Sequence, residues 1–195
     1  RHVHAGTRVI DLEGRSLLPG FIDAHLHITL YGTNKLGVDC KAAGIDSVDG
    51  LLEALKRQAE RTPAGSWVRA SGFDENRMKE RRYPTRQELD EVSTEHPIFV
   101  MRTCAHHSVV NSRALALAGF DEHTPDPQGG RLDRDETGAL TGLLVETAHM
   151  KMFETAAFSE EEYRRALRLA SDDFVAAGIT SVHDAGGYGP DNLRA

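Results

Sequence analysis

The chain has 195 residues, of which 39% are hydrophobic and 27% charged, and its formal net charge is −7. This length supports one substantial domain with its own core, and the composition is that of a globular protein, not a disordered one. The acidic balance argues against nucleic acid as the main partner. The apolar runs are far shorter than the roughly 20 residues of a membrane helix, so we expect no membrane partner either.

The chain contains two cysteines, Cys40 and Cys104, and ten histidines. The cysteines are far apart in sequence and form no Cys-x-x-Cys pair, which argues against a disulfide framework and favours a reducing, cytoplasmic location. Histidine is the commonest metal ligand and titrates near neutral pH, so the histidines are the strongest candidates for chemistry.

The first part of the chain predicts short extended segments separated by turns. A strand is predicted over 8–12, a turn at Glu13-Gly14 and a second turn at Pro19-Gly20. The next segment, 21–28, is apolar at both ends and predicts a short buried strand with polar side chains at positions 23, 25 and 27.

Four helices are predicted further along, each from capping residues in front of an apolar periodic stretch. These start signals are Asp46 or Ser47, Thr85 with Glu88, Asn111, and Ser159 with Glu162. Gly119 and Gly178 are predicted C-terminal stops.

Strands are predicted between these helices. They cover 67–70, 97–101 and 179–182, and a hairpin over 129–144 turns near 135–138. The last strand delivers His183 and Asp184 into a glycine-rich loop over 186–190. Because strands and helices alternate, the sequence predicts an α/β architecture.

His25 and His27 are the sharpest chemical signal. On a strand, residues i and i+2 point to the same side, so two imidazoles at this spacing can bind one metal ion together. A bare His-x-His also occurs on exposed strands without a metal, but the apolar flanks favour a buried strand, and buried imidazoles need partners. Asp23 lies on the same predicted face and could accept a hydrogen bond from the N–H of a ligand imidazole, which would fix the orientation of that ring.

The segment 18–27, Leu-Pro-Gly-Phe-Ile-Asp-Ala-His-Leu-His, resembles the metal-binding signature of the amidohydrolase superfamily. The resemblance implies that this segment is the first strand of a (β/α)₈ metal-dependent hydrolase barrel. Residues 1–19 would then be the remnant of a flanking β-sandwich, and residues 20–195 the N-terminal part of the barrel with an insertion over about 31–158.

Further residues narrow the resemblance to the YtcJ-like branch, which includes N-substituted formamide deformylases. The matching positions extend over nearly the whole chain and include Trp67, Gly72-Phe73-Asp74, Pro84-Thr85, Leu89-Asp90, His106, Asn111-Ser112, Ala114-Leu115, Gly129-Gly130, Thr141 to Leu144, Glu146, Gly178 to Val182 and Asp184.

The branch resemblance assigns roles to three further residues. It places a glutamate at Glu146, which would be a third metal ligand. The alternative is a first-turn helix glutamate stabilised by the helix dipole. His106 and Asp184 would contact substrate, although His106 could equally be a histidine bonded to backbone in a turn.

The implied function is metal-dependent hydrolysis of a carbon–nitrogen bond in a small-molecule, non-peptide amide, with zinc as the ion and a metal-activated water as the nucleophile. The superfamily's late-barrel catalytic aspartate has no counterpart, so we expect the chain to be an incomplete fragment. The alternative is a truncated, non-catalytic relative that serves as a binding or interaction module. Homo-oligomerisation stays open.

Overall fold

A computed structural model describes residues 3–186. These residues form two sheets, one of two strands and one of six. The strands are β1 (Phe21–Leu26), β2 (Val38–Asp39), β3 (Val68–Phe73), β4 (Ile98–Arg102), β5 (His107–Val110), β6 (Gly130–Arg134), β7 (Leu140–Glu146) and β8 (Ile179–Asp184).

The helices are α1 (Ile28–Asn34), α2 (Val48–Ala59), α3 (Arg86–Val92), α4 (Ser112–Ala118), α5 (Thr147–Thr155) and α6 (Glu160–Ala176), and a short 3-10 helix covers Glu75–Arg77. In the part of the chain that the structure describes, no helix is long and apolar enough to cross a membrane.

The six-stranded sheet has the order β2-β3-β4-β5-β7-β6. Strands β2, β3 and β4 run parallel, and the other neighbours pair antiparallel. The ends of β3, β4 and β7 and the starts of β5 and β6 therefore meet at one edge of the sheet. This edge, which we call the polar edge, carries Glu75, Arg102, His106, His107 and Glu146.

Both faces of this sheet are buried. Neighbouring residues of one strand join different cores, because alternate residues along a strand point to opposite sides. In β4, Ile98 and Val100 join a core with α2 and α3 that includes Leu55. Phe99 and Met101 join a second core beneath α4 and α5. The fold is thus mixed α/β, as predicted, and its sheets are open: the described strands do not close into a barrel.

The two-stranded sheet joins distant parts of the chain, because β1 pairs in parallel with β8 and Leu26 lies opposite Asp184. Helix α1 follows β1 directly and packs along α6, which precedes β8. The prediction that β1 is buried was wrong: Phe21 and Ile22 are 59% and 67% exposed, because a sheet of two strands leaves most of its surface uncovered.

The predicted helix ends are confirmed. Ser47 caps α2, and capping boxes open α3 and α6 at Thr85 and Ser159. Gly119 ends α4 in the left-handed conformation that glycine adopts without strain.

Other predictions need correction. Residues 8–12 form no strand; residues 8–11 are exposed and Leu12 is half-buried, and within residues 3–186 no ladder supplies the hydrogen-bond partners that a strand requires. Strand β1 ends at Leu26, two residues earlier than predicted. The predicted loop over 186–190 lies outside the described residues beyond position 186, and the proposed division at residue 19 stays a prediction.

Asn111 connects several elements at once. Its side-chain oxygen accepts from the backbone N–H groups of Ile98 and Ala114, and its amide nitrogen donates to the carbonyls of Ser93 and His96. The side chain is fully buried. We expect Asn111→Ala to lower the free energy of unfolding by about 3 kcal/mol or more, because buried donors and acceptors lose their partners.

Urea denaturation measures this loss. Ser47→Ala is the matched control, because it removes an N-cap that makes one hydrogen bond, to the backbone N–H of Gly50, and it should cost about 1 kcal/mol. Equal losses in the two variants would contradict the interpretation of Asn111 as a junction between elements.

Candidate functional site

The first candidate site lies where β1 meets α1. The imidazole rings of His25 and His27 are neighbours, with centroids 5.6 Å apart and planes at 76°. His25 belongs to β1, but His27 stands just past the strand, at the N-cap position of α1, where its side chain makes no capping hydrogen bond. The two rings therefore come together at a strand-to-helix junction and not along a continuous strand.

Two carboxylates lie next to these rings in different ways. The Asp184 carboxylate, at the end of β8, has an oxygen 3.8 Å from Nδ1 of His27. Asp23 accepts a hydrogen bond from the backbone N–H of His25 at 3.0 Å, so in this structure it fixes the backbone of that histidine and not its ring. The structure thus places Asp184 beside the histidine pair. The family resemblance had implied that Asp184 contacts substrate.

Gly186 lies against the ring of His27. A Cβ atom at this position would stand 2.5 Å from Nδ1 of His27, a distance that real side chains do not adopt. The Gly186 N–H also donates to Asp184 at 3.0 Å. A residue without a side chain is therefore required here if His27 and Asp184 are to keep this arrangement.

The second candidate site lies on the polar edge. Nδ1 of His106 is 2.9 Å from a carboxylate oxygen of Glu146, and both side chains are more than half exposed. The Glu146 backbone N–H also donates to the carbonyl of His106 at 2.8 Å. Two residues far apart in sequence are therefore joined through both backbone and side chain.

The backbone at this second site is strained. Glu146 has φ 52° and ψ −117°, and Ala105, which precedes His106, has φ 58°. Residues with side chains rarely adopt positive φ, and such strain tends to be retained at functional sites. Gly130 lies opposite Glu146 in the sheet, where a Cβ would stand 2.6 Å from the backbone nitrogen of Ala148. The Gly129-Gly130 pair therefore allows close packing around the strained turn.

His149 is a residue of this region that the sequence analysis missed. It lies on α5, is 1% exposed, and its ring stacks on Phe99 with centroids 5.9 Å apart. Burial lowers its pKa to about 4, an effect that a hydrogen bond to the Ala105 backbone partly offsets. The usable signal was its place in the apolar stripe of α5, three residues before the fully buried Met152.

An ion pair neighbours this site on the polar edge. The Arg102 guanidinium donates to both oxygens of Glu75, at 2.9 and 2.8 Å. This hydrogen bonding lowers the pKa of Glu75 and raises that of Arg102. The hydroxyl of Tyr83 lies 3.3 Å from Nδ1 of His107. The two hydrogen bonds to Glu75 neutralise the charge of Arg102 within the protein.

The donors at β1 fit part of a divalent-metal site. Two imidazoles with a nearby carboxylate are the ligand types that zinc and related ions take. Among residues 3–186, however, no group of three or more His, Cys, Asp or Glu side chains is arranged to hold a metal ion. Glu146 pairs with His106 and is not gathered with His25 and His27, so its role as a third ligand stays a prediction.

This α/β arrangement is similar to that of solved metal-dependent hydrolases. An uncharacterized metal-dependent hydrolase from Pyrococcus horikoshii OT3 matches with a TM-score of 0.67 and 27% identity, over 90% of this chain and 32% of that one.

Sequence comparison agrees with this class. The model of the amidohydrolase family Amidohydro_3 matches residues 8–195, and the chain therefore belongs to this family. It is 38% identical over 183 residues to N-substituted formamide deformylase of Arthrobacter pascens, and 34% identical over 178 residues to YtcJ of Bacillus subtilis (strain 168). Each match covers 91% of this chain but 34% and 33% of the relative, so the chain spans about a third of their length.

The strain at Glu146 predicts an unusual response to substitution. Glu146→Gly and Glu146→Ala both remove the carboxylate, but only glycine accepts φ 52° without strain. We expect the glycine variant to be the more stable by about 1 kcal/mol. Relief of roughly 1–3 kcal/mol of strain outweighs the roughly 0.5–1 kcal/mol that glycine loses through its larger unfolded-state entropy.

Urea denaturation of both variants checks this. The same pair of substitutions at Val145, an ordinary residue of β7, is the control, and there glycine should be the less stable by about 0.5–1 kcal/mol. A Glu146→Gly variant no more stable than Glu146→Ala would contradict the assignment of strain.

Burial of His149 predicts a pH-dependent stability. Its pKa is about 4 in the folded state and about 6.5 in an unfolded chain. The unfolded state therefore binds the proton first as pH falls. The free energy of unfolding should decrease between about pH 6.5 and pH 4, by up to about 3 kcal/mol, and the decrease should level off below.

Urea denaturation at pH 7 and pH 4.5 checks this, with His149→Phe as the comparison. The carboxylates titrate in both proteins, so the difference between their pH dependences isolates His149. Identical losses of stability on acidification in the two proteins would show that His149 is not buried as a neutral imidazole.

Proposed function

We propose that this chain is the N-terminal part of a metal-dependent hydrolase that cleaves carbon–nitrogen bonds of small, non-peptide amides. The observation that carries the proposal is the juxtaposition of His25, His27 and Asp184 at the ends of two paired parallel strands. Side chains at strand ends are where enzymes of α/β barrels carry their chemistry. The 38% identity to an N-substituted formamide deformylase supports the amide class of substrate.

We propose His25 and His27 as metal ligands, with zinc as the ion and Glu146 as a further ligand. When bound, the ion supplies Lewis acidity, which polarises a carbonyl group and makes water more acidic. The chain's contribution is to hold the imidazoles at one junction and to keep the Asp184 carboxylate close to His27, where it favours the orientation of that ring.

The His106–Glu146 pair can accept hydrogen bonds from a substrate bound next to it. When Nδ1 of His106 donates to Glu146, the other ring nitrogen remains an acceptor on an exposed side chain. It can accept a hydrogen bond from an amide N–H. The second oxygen of the Glu146 carboxylate keeps acceptor capacity for another partner, so pairing with His106 does not exclude a role as a metal ligand.

We further propose that β1 and β8 are neighbouring strands of a (β/α)₈ barrel and that residues of about 31–158 form an insertion in it. The parallel pairing of β1 with β8 and the packing of α1 against α6 support this. The small share of the relatives' length that the chain spans supports it as well. The catalytic aspartate would lie outside this chain. Cytoplasmic location and self-association stay predictions.

Metal content tests the proposal directly. We expect the purified chain to retain about one equivalent of a divalent ion, measured by elemental analysis after dialysis, and the His25→Ala/His27→Ala variant to lose it. The control is His4→Ala/His123→Ala, which removes two exposed histidines that belong to neither β1 nor α1 and should leave the metal content unchanged.

Equal metal content in the two double variants would place the ion elsewhere. A folded chain that takes up no metal would favour the alternative of a non-catalytic binding module. In a chain extended to the full length of the relatives, release of amine from a simple N-substituted formamide, lost in the His25→Ala/His27→Ala variant alone, would support the substrate class.

A further inference from the structure

We propose that Arg69 is a positioning residue that fixes the six-stranded sheet relative to α6, so that the His106–Glu146 pair keeps its place relative to the site at β1 and β8. The link itself consists of hydrogen bonds and packing contacts, and its importance for catalysis rests on the proposed function. Neither the sequence motifs nor the comparisons assign a role to Arg69.

The chain passes twice between the two sheets. It leaves through residues 35–37, which connect α1 to β2, and it returns through residues 156–159, which connect α5 to α6. Helix α1 packs mainly on α6, and β1 on β8, so these four elements form a unit beside the six-stranded sheet. The two connections therefore decide how this unit is placed on the larger sheet.

Arg69 contacts both connections. It lies in β3, and its side chain points toward α5 and α6 because the next residue, Ala70, belongs to the core on the opposite face. Its Nε donates to the carbonyl of Ala156 at 3.1 Å, and Nη2 donates to that of Ala157 at 3.0 Å. The outgoing connection passes over its backbone: a Cβ atom on Gly37 would stand 2.3 Å from the Arg69 carbonyl oxygen.

The remaining contacts of the guanidinium join it to α6. Nη1 donates to one oxygen of Glu162 at 2.9 Å, and the other oxygen of Glu162 accepts from the backbone N–H of Ser159, which caps the helix. The centroid of the Phe158 ring lies 4.0 Å from Cζ of Arg69, a distance suited to a cation–π contact. One arginine thus holds the start of α6 and the connection that precedes it.

Stability alone does not account for a buried arginine at this position. The side chain is 13% exposed, and burial lowers its pKa because the charged form loses water. Apolar side chains of similar size often replace a buried ion pair without loss of stability, so such a pair acts chiefly by fixing one arrangement. A cavity of about 30 Å³ lies beside Arg69, between α1 and the sheet, lined in part by Leu30 and Phe99. Directional hydrogen bonds, more than close packing, therefore set the placement here.

A distance measurement between two spin labels tests the link. The exposed Cys104, on the turn before His106, carries one label, since Cys40 is buried. A Val175→Cys substitution places the other label on α6, where Val175 is 68% exposed. Pulsed electron paramagnetic resonance gives the distribution of distances between the labels. It is recorded on the metal-free chain, so it is independent of metal binding and of activity.

We expect Arg69→Met, which keeps a long side chain but removes every donor, to widen this distribution about twofold or more, because the start of α6 is released from β3. Arg69→Lys retains the charge without the planar fork and should give an intermediate width. Ile98→Val is the control, because it trims the core on the opposite face of the sheet. It should lower stability but leave the distribution unchanged.

An unchanged distribution in Arg69→Met, or equal widening in Ile98→Val, would overturn the proposal and leave Arg69 an ordinary contributor to stability. A wider distribution in Arg69→Lys than in Arg69→Met would overturn it as well. Loss of metal binding would leave this result standing, because the two measurements are separate.

The unsubstituted chain provides a second test in case the variants fail to fold. Arg164 is the matched comparison, because its Nε–H also donates to a carboxylate, that of Glu160, but its side chain is 52% exposed. Nitrogen-15 NMR should find the Nε–H of Arg69 exchanging with solvent at least about tenfold more slowly than that of Arg164. Equal exchange of the two groups would overturn the proposal.

Discussion

The parallel pairing of β1 with β8 is the contact on which the candidate site depends. It brings Leu26 opposite Asp184, although the whole six-stranded sheet lies between them in sequence. Closing so long a connection costs little more than closing a shorter one, because loop entropy grows only with the logarithm of length. The intervening residues also build cores of their own, so the excursion is a folded unit and not a loose loop.

The same pairing leaves an apolar surface uncovered. Parallel strands are ordinarily buried on both faces, yet Phe21 and Ile22 of β1 are largely exposed, as is Val175 near the end of α6. Exposed apolar residues that cluster in this way mark surfaces that contact other protein. The barrel that we propose would cover them, because its other strands and helices would pack where β1 and β8 are now open.

The polar edge of the six-stranded sheet shows a different balance, between stability and function. Glu146 and Ala105 have strained backbone, and His149 is buried with one ring nitrogen that finds no hydrogen-bond partner within residues 3–186. Each feature lowers stability, and all three lie around the His106–Glu146 pair. The two well-packed faces of the sheet provide the stability that lets this strained edge persist.

The sequence by itself determined the local structure and the family. Capping residues such as Ser47, Thr85 and Ser159 identified helix starts because their hydrogen bonds form within four residues of the chain. The motif that ends in His25 and His27 was recognisable because its residues are contiguous in the sequence. What only the tertiary structure decided were the pairings between distant residues: His27 with Asp184, and His106 with Glu146. These depend on strand order and on backbone strain, which local periodicity does not encode, because both arise only when separate elements pack together.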